Sequence, residues 1–172
     1  ETLNRAAVFH PTGTGKSCIA WKVVEAHPQT TFFWLVAGAQ RLALRQAELT
    51  RYNGGTLPGN VRFCDCEKLA AATPEQWVRL GEQKPGCIVL DCYHELSAVC
   101  WAQSVQKLLR MCPQAKVLGL GVPNGAPVCA AAQELFADCI VSHMTVAEAM
   151  AAGTMPVPSA YAALLWPQEE EL

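Results

Sequence analysis

Short apolar runs of strand length alternate with longer amphipathic segments over most of this chain. The apolar runs occupy residues 6–9, 31–37, 61–64, 87–91, 116–121 and 138–142. Uninterrupted runs of this kind are typical of strands that are buried on both faces. The intervening segments predict helices at 16–26, 40–52, 74–82, 97–111, 128–136 and 145–152. This alternation predicts an α/β fold in which a parallel sheet, built with right-handed crossovers, is sandwiched between helices.

Length and composition predict one globular domain. The chain has 172 residues, of which 51% are hydrophobic and 16% charged, a balance that indicates a sheet covered on both faces rather than disorder. We expect the domain to occupy residues 1–155. Residues 156–172 predict a C-terminal extension or linker, because they contain three prolines and a run of three glutamates. Since a strand is predicted almost directly after Glu1, we expect a piece of a longer protein.

Charge and cysteine content narrow the class of protein. The formal net charge of -2 creates no overall field that would attract a nucleic acid. The nine cysteines form no CxxC pair, which favours a reduced, cytoplasmic protein that uses Cys as a small apolar residue. No apolar stretch has the length of a membrane span, and no basic leader segment precedes one. We therefore predict a cytoplasmic domain without a membrane partner.

The segment HPTGTGKS, residues 10–17, stands between the first predicted strand and the first predicted helix. A polyphosphate requires converging backbone N–H donors, a helix N-terminus and one long cation. The Walker A pattern GxxxxGK[ST] offers that set, and here only its first glycine is replaced, by His10. The predicted nucleotide-binding residues are Thr12, Gly13, Thr14, Gly15, Lys16 and Ser17. The alternative is a glycine-rich turn with a solvated Lys16, although a cation at a helix N-terminus opposes the helix dipole unless an anion is bound.

A second acidic position follows the apolar run CIVLD, which ends in Asp91. A carboxylate at the end of a neighbouring buried strand is suited to hold Mg²⁺ opposite the phosphates, and the hydroxyl of Ser17 is its expected partner. The alternative is that Asp91 caps the helix after it. We therefore expect ATP with Mg²⁺, and name Ser17 and Asp91 as the candidate metal ligands.

The order of these motifs resembles the first RecA-like domain of superfamily 2 DEAD/DEAH-box helicases. The resemblance lies in HPTGTGKS, FFWLVAGAQRLALRQAEL, IVLDCYHELSA and KVLGLGVPN, and residues 134–161 resemble the closing segment of a bacterial subgroup that has a helicase-associated region. It implies a P-loop NTPase fold, ATP binding and hydrolysis, and DNA or RNA as partner of a longer protein. It also implies a second RecA-like domain outside this chain.

The chain departs from that family at its catalytic positions. Asp91, Cys92, Tyr93 and His94 occupy the DExH motif, so a thiol replaces the glutamate that orients the attacking water. The Ser-Ala-Thr motif that couples nucleotide to nucleic acid aligns with residues 121–123, Gly-Val-Pro, which lack both hydroxyls. The candidate catalytic residues Asp91, Cys92 and His94 therefore predict a degenerate site with very slow hydrolysis.

Several interpretations stay open at this point. The first is an ATP-binding domain with weak or no hydrolysis, and the second is a pseudo-enzyme scaffold that no longer binds nucleotide. A third is an active helicase in which Glu95 replaces the missing glutamate. Cys92 with His94 as nucleophile and base, or with Cys64 and Cys66 as zinc ligands, matches no known spacing.

Overall fold

The computed structural model describes residues 4–123 and 130–157, and its centre is a six-stranded sheet. The strands are β1 (Arg5–Phe9), β2 (Phe32–Val36), β3 (Val61–Asp65), β4 (Cys87–Asp91), β5 (Lys116–Gly121) and β6 (Ile140–His143). They lie in the order β3-β2-β4-β5-β1-β6, and every neighbouring pair is parallel. The predicted α/β fold with a parallel sheet is confirmed.

Helices flank this sheet. They are α1 (Lys16–Ala26), α2 (Ala39–Tyr52), α3 (Cys66–Ala70), α4 (Pro74–Glu82), α5 (Ala98–Cys100), α6 (Gln106–Met111), α7 (Ala130–Phe136) and α8 (Val146–Ala151). The predicted bounds of α1 and α4 are confirmed to the residue. Residues 128–129 of the predicted 128–136 helix, and 158–172 of the predicted extension, lie outside the described residues. Within the described ranges, no helix is long and apolar enough to cross a bilayer.

The single helix predicted at 97–111 is wrong in detail, because a π-helical segment, Trp101–Val105, separates α5 from α6. The hydroxyl of Ser104 inside this segment donates to the carbonyl of Cys66, 2.9 Å away in α3, and also contacts the carbonyl of Cys100. Side-chain bonds of this kind compete with the regular backbone ladder and accompany local distortion. The π-helical segment therefore occurs where Ser104 contacts α3, a helix that the sequence did not predict.

Capping residues explain where the short helices begin. The carboxylate of Asp65 accepts from the backbone N–H of Glu67 at 2.9 Å and starts α3. Thr73 and Thr145 form capping boxes, with Gln76 at the start of α4 and Glu148 at the start of α8. These bonds satisfy backbone donors that a helix start leaves open, so helices of five, nine and six residues begin at defined positions.

The core has one layer on each face of the sheet. All five residues of β2 and all five of β4 are buried, and alternate residues of a strand point to opposite faces. Phe33 of β2 therefore packs in the same cluster as Trp101, whereas Trp34 packs with Trp21 of α1. Burial on both faces accounts for the apolar runs that show no alternation.

The strand order brings together the carboxyl ends of β1, β4 and β5. Phe9 lies beside Gly121 and Leu120 beside Asp91, so β5 separates the strand before the 10–17 loop from the strand that ends in Asp91. Ligands of open parallel sheets bind in the crevice at this edge. The two predicted functional segments thus lie at the same edge of the sheet.

Candidate functional site

The loop at residues 10–17 connects β1 directly to α1. Gly13 and Gly15 have φ values of +87° and +86°, in the left-handed region that side chains with a Cβ rarely adopt. Gly15 is the N-cap of α1, and no side chain caps this helix and no acidic residue lies in its first turn. The positive end of the eleven-residue helix α1 is therefore not neutralised by the helix itself, which suits an anion.

Lys16 folds back over this loop. Its ammonium donates to the carbonyls of His10 at 2.8 Å and Pro11 at 2.9 Å, and the residue is buried. Burial lowers the pKa of Lys16, while the neighbouring charge of Asp91 acts in the opposite direction. An ammonium has three donors, so one remains beyond these two bonds. The lysine is thus anchored to the loop at the place where a phosphate oxygen would need a cation.

His10, to which the sequence assigned no role, ties the loop to the edge of the sheet. Its Nε2 lies 2.8 Å from the hydroxyl of Ser142 in β6, and its backbone N–H donates to the carbonyl of Gly121 at 3.2 Å. Burial lowers the pKa of His10, and the charges of Lys16 and His143 lower it further. A neutral His10 therefore takes the place of the first glycine of the motif and fixes the start of the loop.

Asp91 is almost fully buried at the end of β4 and accepts hydrogen bonds from three other side chains. Its Oδ2 accepts from Nε of Arg45 at 2.6 Å and from Nε1 of Trp34 at 3.1 Å. Its Oδ1 lies 3.6 Å from the thiol sulfur of Cys92. Sequence reasoning missed both Arg45 and Trp34. They lie in α2 and β2, and no local pattern indicates that they reach Asp91.

Cys92, which the resemblance aligns with a glutamate, has an unusual backbone conformation. Its φ is +52°, in the left-handed region that is uncommon for residues other than glycine. Burial raises the pKa of the Cys92 thiol, and the charge of Asp91 raises it further. The group is therefore a neutral thiol, which is a poor base at neutral pH.

His94 and Glu95 lie in the turn that follows Cys92. Nδ1 of His94 is buried without a hydrogen-bond partner among the described residues, and its Nε2 lies 3.6 Å from Oε1 of Glu95. Burial lowers the pKa of His94, and the charges of Lys16 and Arg41 lower it further. Glu95 also forms an ion pair with Arg41 of α2. The histidine is therefore kept neutral while the glutamate is engaged by a cation.

One cavity of about 660 Å³ connects these groups. Of the predicted residues, those that line it are Thr12, Gly13, Gly15, Lys16, Ser17, Asp91, Cys92 and His94. Thr14 is not among its lining residues, because its hydroxyl turns inward and donates to the carbonyl of Pro11 at 2.7 Å. Helix α2 adds Arg41, Arg45 and Glu48 to the wall, which the sequence did not predict.

Gly121, which the resemblance aligns with the serine of the Ser-Ala-Thr motif, lies against two aromatic side chains. Phe9 and Tyr93 pack edge to face, with ring centroids 5.9 Å apart. A Cβ added at Gly121 would lie 3.1 Å from a ring carbon of Tyr93 and 3.3 Å from one of Phe9. A serine is disfavoured here because the aromatic pair occupies the space that its side chain needs.

Cys64 and Cys66, which were considered as zinc ligands together with Cys92, do not line the cavity that Cys92 lines. Cys64 lines a separate cavity of about 290 Å³ that is also lined by Trp77. Burial raises the pKa of Cys64 to about 11 and raises that of Cys66 even more. Across the residues that the structure describes, no group of three or more His, Cys, Asp or Glu side chains could hold a metal ion.

The sequence predicts a Mg²⁺ ion at Asp91, but the atoms around this carboxylate do not suit one. Mg²⁺ prefers oxygen ligands and is commonly held through one or two carboxylates. Both oxygens of Asp91 already contact protein donors, one of them a guanidinium, and Cys92 contributes no oxygen. Ser17 lines the cavity, but as the contacts of Asp91 stand, the site does not fit a magnesium ion at this carboxylate.

Comparisons with models of known protein families and with curated proteins find no match to this chain. The likeness to helicase domains therefore stays a prediction from the motifs.

Proposed function

We propose that this chain is the ATP-binding, RecA-like domain of a helicase-like protein, and that it binds nucleotide better than it hydrolyses it. The observation that carries the proposal is that Lys16, Ser17 and Asp91 line one cavity at the carboxyl edge of a parallel sheet. Its volume of about 660 Å³ lies within the range of small-molecule sites. Both the position and the size suit a nucleoside triphosphate, and the motif resemblance favours ATP.

The 10–17 loop supports binding of the phosphates. The uncapped N-terminus of α1 and the anchored ammonium of Lys16 concentrate positive potential at one wall of the cavity. When a nucleotide binds, the ammonium of Lys16 would replace its hydrogen bonds to loop carbonyls with bonds to phosphate oxygens. Phosphate oxygens are the stronger acceptors because they are charged. The triphosphate, rather than the base or sugar, would therefore dominate the affinity.

The groups around Asp91 support slow hydrolysis. Cys92 is a neutral thiol where the resemblance implies a carboxylate, and the arginine expected from a second RecA-like domain is outside this chain. Glu95, the possible replacement, is ion-paired with Arg41 and close to His94. A carboxylate stabilised in its charged form by a cation is a weaker base. DNA or RNA binding and the second domain belong to the proposal for the longer protein only.

Titration calorimetry with ATP tests this function. We expect micromolar binding by the wild-type chain and at least about tenfold weaker binding by Lys16→Ala, because a charged hydrogen bond to phosphate is lost. Lys22→Ala is the matched control, since Lys22 is an exposed lysine of the same helix that pairs with Glu25. Its affinity should equal that of the wild type.

A scaffold without nucleotide binding is the second candidate, and the replacements at Cys92 and Gly121 favour it. No heat at millimolar ATP, together with an intact fold, would support the scaffold and contradict the first proposal. Equal affinity of the Lys16→Ala and Lys22→Ala variants would also contradict it, because binding would then not use the loop.

A further inference from the structure

Arg45 places a permanent positive charge against the carboxylate that ends β4. Its Nε donates to Oδ2 of Asp91 at 2.6 Å, and its Nη1 donates to Oε2 of Glu48, one turn further along α2, at 2.5 Å. The side chain of Arg45 is 23% exposed and that of Asp91 only 3%. The guanidinium is therefore held between two carboxylates, one of them buried, in the wall of the cavity.

The contacts of Asp91 disfavour a magnesium ion beside this guanidinium. Oδ2 accepts two bonds, from Arg45 and Trp34, and Oδ1 faces the thiol of Cys92. An ion bound through Oδ2 would have to displace Arg45, and an ion bound through Oδ1 would lie close to the guanidinium, which repels a divalent cation.

Arg45 also has donors left for an anion. A guanidinium carries five N–H groups, and the hydrogen bonds within the described ranges use Nε and Nη1 only. Arg45 lines the same cavity as Lys16 and Ser17. The planar fork of arginine matches phosphate oxygens, and its charge does not depend on pH.

We propose that this site binds nucleoside triphosphate without a divalent cation, and that the guanidinium of Arg45 supplies the positive charge that Mg²⁺ would otherwise bring. This inference rests on the proposed function, since it concerns the same cavity. It specifies the ligand as the free nucleotide anion, held by the 10–17 loop, Lys16 and Arg45. Asp91 then orients Arg45 instead of binding the metal.

The test compares ATP affinity of the wild-type chain in excess EDTA and in excess MgCl₂, measured by titration calorimetry. We expect binding in MgCl₂ to be no tighter than in EDTA, and weaker where Mg²⁺ complexes the free nucleotide anion that the site binds. Binding that is about tenfold or more tighter with Mg²⁺ would overturn the inference while leaving the proposed function in place. Absence of binding under both conditions would overturn the proposed function, and the inference with it.

The variant Arg45→Gln tests whether the guanidinium of Arg45 is the group that makes binding independent of Mg²⁺. We expect at least about tenfold weaker binding in EDTA, because a charged donor is lost, and a new gain of affinity on addition of Mg²⁺, because Asp91 is released. Arg51→Gln, at an exposed arginine in the last turn of the same helix, should behave as the wild type. If the folded Arg45→Gln variant keeps the wild-type affinity in both EDTA and Mg²⁺, the role of Arg45 is wrong. If that variant does not fold, the wild-type comparison still decides the inference.

Discussion

The indole of Trp34 donates a hydrogen bond to the carboxylate of Asp91 across 3.1 Å, from the middle of β2 to the end of β4. Both residues are buried, and Trp34 faces the same core layer as Val89, its neighbour in the sheet. One large core side chain therefore packs the sheet and also fixes the acidic group of the candidate site. Core and site cannot be altered independently at this position.

The variant Trp34→Phe tests this double role. It keeps an aromatic ring but removes a donor to a buried carboxylate, and hydrogen bonds to charged groups contribute about 1.5–3 kcal/mol. Trp21→Phe is the matched control, because Trp21 is equally buried and its Nε1 has no hydrogen-bond partner within the described part of the chain. We expect urea denaturation to show Trp34→Phe less stable than Trp21→Phe by about 2 kcal/mol. Equal losses would show that the indole bond contributes nothing.

Gly15 should be intolerant of a side chain for reasons of backbone conformation alone. A Cβ built there meets no atom within 4 Å, but φ is +86°. We expect Gly15→Ala to lower the free energy of unfolding by about 1–2 kcal/mol and to weaken ATP binding, because the left-handed conformation is strained for alanine. Gly59→Ala is the control, since that position is equally open and its φ is outside the left-handed region. A Gly15→Ala variant as stable as Gly59→Ala contradicts the prediction.

Restoring the missing carboxylate should not by itself restore hydrolysis. In a Cys92→Glu variant, Arg45 would still engage Asp91, and under the proposed function hydrolysis also requires an arginine from a second domain. We expect single-turnover hydrolysis of bound ATP by Cys92→Glu and by the wild type to be equally slow. A rise of about tenfold or more would show that Cys92 is the main block, since a general base contributes at least about 10²-fold.

Acid should destabilise the protein through its buried histidines. The pKa values of His10 and His94 are lowered from 6.5 in the folded chain, chiefly by burial. The unfolded chain therefore binds more protons as the pH falls through 6.5, so their contribution is complete above that pH and is lost below it. We expect His94→Gln to lose less stability than the wild type between neutral pH and pH 5, measured by urea denaturation.

A control separates this effect from general acid sensitivity of the protein. His27→Gln, at an exposed histidine that follows α1, should follow the wild-type pH dependence. If His94→Gln and His27→Gln show the same slope of stability with pH, the buried imidazole of His94 is not responsible.

Much of the fold could be predicted because its signals are local. The apolar runs of β4 and β5 have the predicted bounds because burial on both faces leaves a local signal. Helices α1 and α4 also have the predicted bounds, since α1 begins directly after Gly15 and α4 begins at a capping box. Helix α3 escaped prediction because five residues carry too little periodicity, although its cap, Asp65, is a recognisable start. The π-helical segment escaped because it involves a contact between Ser104 and a different helix.

The functional groups of the site can be identified from the sequence alone: a glycine-rich loop that ends in Lys16 and Ser17, a buried strand that ends in Asp91, and a thiol at Cys92. The contacts of Asp91 depend on the tertiary fold. Trp34 is 57 positions from Asp91 and Arg45 is 46, and they meet it because β2 pairs with β4 rather than with β1. Strand order is set by how whole elements pack, which no local pattern of residues encodes.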